Sequence, residues 1–230
     1  MAAGEGRRLR PLTERYAKPV LPIDGRPVVV TLMHELQAAG IDHVTLVTGH
    51  LAEQVESLVA GFPLPHRFVR QPERLGSADA VRRAEATPPY VAVAADTVFT
   101  RGDVGRFVTA AWDHDGAIAW RSDPPAGRGR IPLRLKDDRV TRVLDDDPAN
   151  PHGSAPLWFV GPAVHELLDV LPGPPFELAT VFQNAIDRDK TIRGVEIGRT
   201  RDLTHPLDLV ERNFPYCAAL AAIRKNGDSP

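Results

Sequence analysis

The chain has 230 residues, 43% of them apolar and 25% charged, with 28 basic against 30 acidic side chains and a net charge of −2. That is enough chain for one generous α/β domain with a full core, and so even a charge balance makes no electrostatic case for nucleic acid or an anionic membrane surface as partner. One cysteine, Cys217, leaves no internal disulfide, no apolar run reaches the roughly 18 residues of a membrane span, and no signal peptide is visible, so a cytoplasmic setting is expected.

In chain order, the first feature is a loop. Residues 2–28 read AAGEGRRLRPLTERYAKPVLPIDGRPV. The small residues Ala2, Ala3, Gly4 and Gly6 let backbone N–H groups approach a ligand, and converging N–H groups make an anion cradle. Arg7, Arg8 and Arg10, with Lys18 at a fixed distance beyond, supply the countercharge that phosphate oxygens need. The physical reading is a polyphosphate site; the bland one is a basic, glycine-rich surface loop. The run is not a P-loop, and Leu9 stands where a dinucleotide fingerprint needs its third glycine.

Beyond the loop, helical spacing of Val28, Leu32, Leu36 and Ala39 predicts a helix over 27–39, with Gly40 as its stop. A buried strand is expected over 43–48, a helix over 51–60, a short strand over 68–70, a helix over 77–86 and a strand over 90–95. This alternation predicts a Rossmann-like α/β fold: a mixed, mainly parallel sheet with helices on both faces. Ligands in such sheets bind beyond the carboxyl ends of the strands, where the glycine loop, Gln71–Ser77 and Asp96 fall. The second half reads as a helix over 101–113, a strand over 117–121, a loop at 124–129 and a hairpin over 131–136 and 140–144. A strand over 155–160, helices over 162–171 and 177–189, a strand over 192–197 and a closing helical segment over 207–225, kinked near Pro215, complete it. Residues 1–225 are expected to form one domain, with 1–100 as the nucleotide-binding half, 101–200 as the acceptor-binding half and 205–225 as the closing helix. Residues 226–230 read as a disordered tail.

The opening run closely resembles the signature of the sugar-phosphate nucleotidyltransferases, A-G-x-G-x-R-L-x-P-L-T-x4-K-P-x2-P-x2-G-x-P. Every fixed position is filled, from Ala3, Gly4, Gly6, Arg8 and Leu9 through Pro11, Leu12, Thr13, Lys18 and Pro19 to Pro22, Gly25 and Pro27. In that family the glycine loop follows a first β-strand; here Met1 stands where that strand ends. Either the strand lies upstream or another segment replaces it, and its loss is expected to cost stability and loosen the loop.

The resemblance extends to three further stretches. Val91–Phe99, VAVAADTVF, resembles the family's strand ending in Gly-Asp, with Ala95 replacing the glycine, which implies that Asp96 binds Mg²⁺; the plain alternative is a turn or cap residue. Arg201–Asn213 is similar to the late D-x-x-T-P-x-D-L segment, which makes Asp202 the second metal ligand and leaves Asp208 to cap the closing helix. Gln71–Ala80, QPERLGSADA, resembles the nucleobase loop, which implies Gln71, Gly76 and Ser77 as nucleotide-binding residues: Gln71 would pair with a base, leaning toward uracil or thymine, Gly76 would let the backbone approach it, and Ser77 to Asp79 would cap the next helix. A Pro-containing turn explains the same stretch without a base.

The acceptor side departs from the family. Asp146-Asp147-Pro148 stands where many members carry Glu-Lys-Pro, and an Asp cannot neutralise an acceptor phosphate. Trp158 is expected either to line the acceptor pocket, even to box a quaternary ammonium, or to be plain core. None of the eight histidines shows zinc spacing, although His205 falls close to Asp202.

The implied reaction is transfer of a nucleotidyl group from an NTP, UTP or dTTP leading, to a sugar-1-phosphate, with Arg8, Lys18 and Asp96 as catalytic residues and Mg²⁺ as cofactor. Two alternatives stay open: the same chemistry on phosphocholine or a phosphonate, and an inactive regulatory subunit that binds nucleotide or sugar phosphate. A homo-oligomer is compatible with all three.

Overall fold

The computed structural model describes residues 1–122, 132–145, 147, 150–171 and 173–214. The expected loop at 124–129, Ile131 at the hairpin's start, Asp146, Pro148, the segment from Pro215 with Cys217, and the 226–230 tail lie outside these residues.

The helices are α1 (Val28–Ala38), α2 (Ala52–Val59), α3 (Ser77–Arg83), α4 (Asp103–Ala111), the short α5 (Pro162–His165), α6 (Leu178–Ile186) and α7 (Pro206–Asn213). The strands are β1 (Val44–Thr48), β2 (His66–Arg70), β3 (Tyr90–Val93), β4 (Thr97–Val98), β5 (Gly116–Arg121), β6 (Leu133–Lys136), β7 (Arg139–Val143), β8 (Gly153–Val160), β9 (Ile192–Glu196) and β10 (Arg201–Asp202). Each helix and strand expected from periodicity within the described residues is present within a few residues; of the closing segment expected over 207–225 only the part up to Phe214 is described, and there α7 ends at Asn213. The exception is 162–171, where α5 stops after one turn and continues as the 3₁₀ segment Glu166–Asp169.

The main sheet is mixed, in the order β3-β8-β5-β9-β7-β6. Among its described strands only the neighbouring pair β5–β9 is parallel; β8 is antiparallel to β3 and β5, and β7 to β9 and β6, so the sheet is mixed but mainly antiparallel, and the mainly parallel pairing expected is confined to β5–β9 and to β1–β2. Strands β1 and β2 form a separate parallel pair. Side chains alternate across the sheet, as a period of two requires. Ala155, Leu157 and Phe159 of β8 join one cluster with Leu32, Met33 and Leu36 of α1, Val55 of α2 and Phe107 of α4. Trp158 and Val160 face the other way, into a second cluster with Val81 of α3, Val164 of α5 and Phe182 of α6. Helices thus cover both faces.

The place of the family's first strand is partly filled. The Met1 ammonium donates to the Val93 carbonyl at 2.8 Å, and the Ala95 amide donates back to the Met1 carbonyl at 2.8 Å. On the other side Ala2 donates to the Val47 carbonyl at 2.7 Å and pairs in parallel with Thr48. Residues Met1–Ala3 therefore stitch β1 to β3 at the carboxyl ends of both. Behind Met1 the gap between the two strands stays open as a groove of about 470 Å³, lined by Leu32, Met33, Leu46, Val91 and Phe159 among others. Burial pushes the Met1 ammonium down to about 6. None of the helices among the described residues is long and apolar enough to cross a membrane.

Candidate active site

A cleft of about 700 Å³ opens at the carboxyl ends of β1 and β3, where an open α/β sheet places its ligands. One wall is the glycine loop. Gly6 adopts a left-handed conformation, φ 62°, and a Cβ there would meet Thr13 Cγ2 at 3.0 Å and Lys18 Cβ at 3.3 Å, so only glycine lets the loop fold onto the Lys18 stem. The turn is fixed from outside by the Thr13 hydroxyl donating to the Gly6 carbonyl at 3.0 Å, and by the His50 ring against the Thr13 carbonyl at 2.7 Å. Within the described residues the backbone amides of Gly4 to Arg8 meet no protein acceptor. A row of unspent donors, bordered by Arg7 and Arg8, is what an anion cradle requires. Ala2, Ala3, Gly4, Gly6 and Arg8 all line the cleft.

Lys18 and Asp96 meet on its floor, Nζ to Oδ2 at 2.6 Å, with side chains 13% and 32% exposed. They lie 78 positions apart in sequence (96 − 18), and the fold joins them because Lys18 opens a 3₁₀ turn below the glycine loop while Asp96 follows β3. The next two residues form β4, which pairs antiparallel with β10 so that Thr97 faces Asp202. Asp202 accepts from the Thr204 hydroxyl at 3.3 Å. Its neighbours Leu203 and Thr204 line the cleft, whereas Asp202, expected as the second metal ligand, is not among the lining residues. Asp208 caps α7, accepting from the Thr204 and His205 amides at 2.6 and 2.8 Å, as expected of it. His205 occupies that N-cap position and is exposed.

The opposite wall is the 71–77 loop. Gln71 is buried, and its amide nitrogen donates both to the Gly76 carbonyl at 3.1 Å and to Asp79 Oδ2 at 2.8 Å. Its two N–H groups are thereby committed to holding the loop. Asp79 is itself buried and also receives Arg83 at 2.7 Å and Arg82 at 3.2 Å. Burial works to raise its carboxyl, but the hydrogen bonds from Gln71 and Arg83 prevail and hold it below the ordinary carboxylate value. A depressed folded value stabilises the protein above the unfolded value of about 3.9 and is lost as pH falls through the folded one. Asp79→Asn is therefore expected to lose about 1–2 kcal/mol near neutrality, and the gap to the parent to close in acid; denaturant midpoints from pH 2 to pH 7 check this.

Ser77 does not face the ligand freely. Its hydroxyl donates to Glu177 and accepts from the Leu178 amide at 2.9 Å, tying α3 to the start of α6. Trp158 serves both expectations at once: it is 7% exposed, packs in the second cluster and lines the cleft. It is the only aromatic ring among the described lining residues. Sequence reading missed Glu177, Thr180, Thr204, Glu5 and Arg74 as lining residues. Glu177 carries the one available signal, an acid immediately before a helix of buried periodicity. Asp147 lies 4.0 Å from Arg134.

The profile of the MobA-like NTP transferase domain matches residues 1–226. The bifunctional protein GlmU of Burkholderia orbicola (strain MC0-3) is 32% identical over 157 residues, 66% of this chain and 33% of that protein, and GlmU of Burkholderia mallei (strain SAVP1) gives the same figures. The chain thus spans about a third of the length of the curated relatives it matches. Among solved structures, the inositol-1-phosphate CTP transferase of T. maritima superposes with a TM-score of 0.78 at 16% identity, covering 90% of this chain and 88% of that one. The UDP-glucose pyrophosphorylase of Acinetobacter baumanii gives 0.76 at 16% identity, covering 96% and 97%. These structures share the fold, and the profile spans nearly the whole sequence. The chain belongs to the MobA-like NTP transferase domain family, and its opening motif resembles that of the sugar-phosphate nucleotidyltransferases.

Proposed function

We propose that this chain, as a single nucleotidyltransferase domain, joins an NTP to a sugar-1-phosphate and releases pyrophosphate. The observation that carries the reading is the Lys18–Asp96 pair at 2.6 Å on the floor of a cleft walled by unspent loop amides. An acceptor phosphate oxygen forms the new bond to the α-phosphorus as the bond to the β-phosphate oxygen breaks, and pyrophosphate carries off the electron pair. A phosphate monoester is largely dianionic near pH 7, so no strong general base and no covalent enzyme intermediate are required. The work left to the protein is to align two anions and neutralise crowded charge. Amides of Gly4 to Arg8 and the Arg8 guanidinium hold the β- and γ-phosphates. Lys18 would bridge the α-phosphate and the incoming phosphate.

The donor set fits a hard divalent cation. Asp96 already accepts the Lys18 ammonium inside the cleft, and the β4–β10 pairing sets Asp202 opposite Thr97, the residue next to Asp96. No group of three or more His, Cys, Asp or Glu that could cage a metal exists among the described residues. Mg²⁺ asks for no such cage, being held by one or two carboxylates together with substrate phosphates. Asp96 and Asp202 would hold it, and it would neutralise phosphate charge there. With the Gln71 N–H groups committed, its carbonyl oxygen is the atom left to accept from a base; uracil and thymine N3–H satisfy it, but so do N–H groups of the other bases, and the choice of UTP or dTTP rests on the resemblance of the loop. A lone Trp158 makes no aromatic box, which argues against a quaternary-ammonium acceptor.

The test is pyrophosphate release with Mg²⁺, crossing UTP, dTTP, CTP, ATP and GTP against sugar-1-phosphates, phosphocholine and a phosphonate. Turnover for a sugar-1-phosphate with UTP or dTTP is expected. Turnover on phosphocholine or the phosphonate alone would replace the acceptor, and NTP binding without any turnover would make the chain regulatory.

A further inference from the structure

Glu5 stands between the two loop glycines, and the transfer reading gives it no role. Its carboxylate accepts from Arg7 Nε at 3.1 Å and lies 2.9 Å from Arg74 Nη1 and 3.6 Å from Arg10 Nη2. Arg7 and Arg10 follow it on the glycine loop, whereas Arg74 reaches over from the 71–77 loop on the opposite wall. The interaction therefore spans the mouth of the cleft. Glu5 is the inner member, 21% exposed, while the three guanidiniums are 44–66% exposed. The Arg7 hydrogen bond, followed by the charges of Arg74, Arg7 and Arg10, holds its carboxyl below the usual range, so it is an anion near neutrality.

One carboxylate facing three guanidiniums leaves a surplus of positive charge, next to amides that have no acceptor. Glu5, Arg7 and Arg74 all line the cleft itself. A guanidinium fork binds phosphate oxygens as it binds carboxylate oxygens, and more strongly as the ligand's charge grows. We propose that Glu5 is an internal stand-in for the terminal phosphates of the nucleotide. It keeps Arg7, Arg10 and Arg74 gathered at the mouth of the cleft until nucleotide binds, and the β- and γ-phosphates take these guanidiniums over, which makes Arg74 a phosphate-binding residue supplied by the second loop. This rests on the nucleotidyl-transfer reading for the ligand's identity, so the probe is chosen to be independent of base and acceptor.

Inorganic tripolyphosphate is titrated calorimetrically into the parent, Glu5→Gln, Glu5→Ala, Arg74→Ala and the Glu5→Gln/Arg74→Ala double variant. Removing the stand-in's charge is expected to tighten tripolyphosphate binding about three- to tenfold in both Glu5 variants. Arg74→Ala is expected to weaken it, and to do so more in the Glu5→Gln background, where no internal carboxylate competes. NTP should follow the same order, with KM falling in Glu5→Gln and kcat not rising. Equal or weaker tripolyphosphate binding in both Glu5 variants overturns the proposal, and a neutral Arg74→Ala in both backgrounds overturns the role of Arg74. Tighter tripolyphosphate binding in a protein with no turnover on any NTP and acceptor would sink nucleotidyl transfer and leave the stand-in established. Turnover with tripolyphosphate binding unmoved in the Glu5 variants would do the reverse.

Discussion

Lys18→Ala is expected to lower kcat for pyrophosphate release by about 10²–10³-fold while the protein stays folded. The ammonium pairs with Asp96 at 2.6 Å inside the cleft, and in the proposed transfer it would meet the charge that builds up as the α-phosphorus changes partners. Asp96→Asn should cost as much, because the amide keeps the shape and loses the charge that orients Lys18 and receives a cation. The two act as a unit, so the double variant should lose little more than either single one. Pyrophosphate release from purified variants, with circular dichroism to confirm folding, checks this. Full activity in Asp96→Asn would end the assignment.

Gly76→Ala should be the most destabilising single methyl addition in the cleft wall. Gly76 has φ 108°, and a Cβ there would sit 2.1 Å from the Phe176 carbonyl oxygen and 2.8 Å from its backbone nitrogen. Neither can yield easily. The Phe176 oxygen accepts from the Ala78 amide at 2.9 Å, and its nitrogen donates to the Leu75 carbonyl at 2.6 Å. Left-handed strain and the clash together are expected to cost about 3 kcal/mol or more, and a chain of this size then loses about 6–12 °C in Tm. Gly102→Ala is the control, since its φ is 83° but nothing lies within 4 Å of the added carbon. It should lose about 1 kcal/mol. Equal Tm losses in the two variants would show that the Phe176 contact does not hold the wall.

Much of this site was legible before any coordinates. Lys18, Gly6 and Asp96 sit in motifs whose chemistry demands those residue types, and β8 announces itself through the alternation of Ala155, Leu157 and Phe159 with Trp158 and Val160. The unreadable parts share a cause: side chains meeting across long sequence separations from irregular loops. Nothing in PERLGS tells Arg74 that Glu5 will be its partner, and nothing near Ser77 points to Glu177, 100 positions away. Strands β4 and β10 hold two residues each, too few for any period, yet their pairing is what sets Asp202 opposite Thr97, the residue after Asp96. Asp79 reads as an ordinary acid in the first turn of a helix, where solvent would be its normal surroundings. Burial and Gln71 instead make it an internal anchor, and Gln71, read as the base reader, spends its donors on that anchor.

The groove behind Met1 has a practical consequence for anyone handling the protein. Met1–Ala3 already runs parallel to both β1 and β3, so residues fused ahead of Met1 leave through an apolar channel between two strand edges. An amino-terminal purification tag is therefore not a neutral handle. A leader of apolar, β-branched residues next to Met1 can pair with both edges and remove the buried ammonium. A polyhistidine or other charged leader would instead meet an apolar lining that includes Leu46 and Phe159.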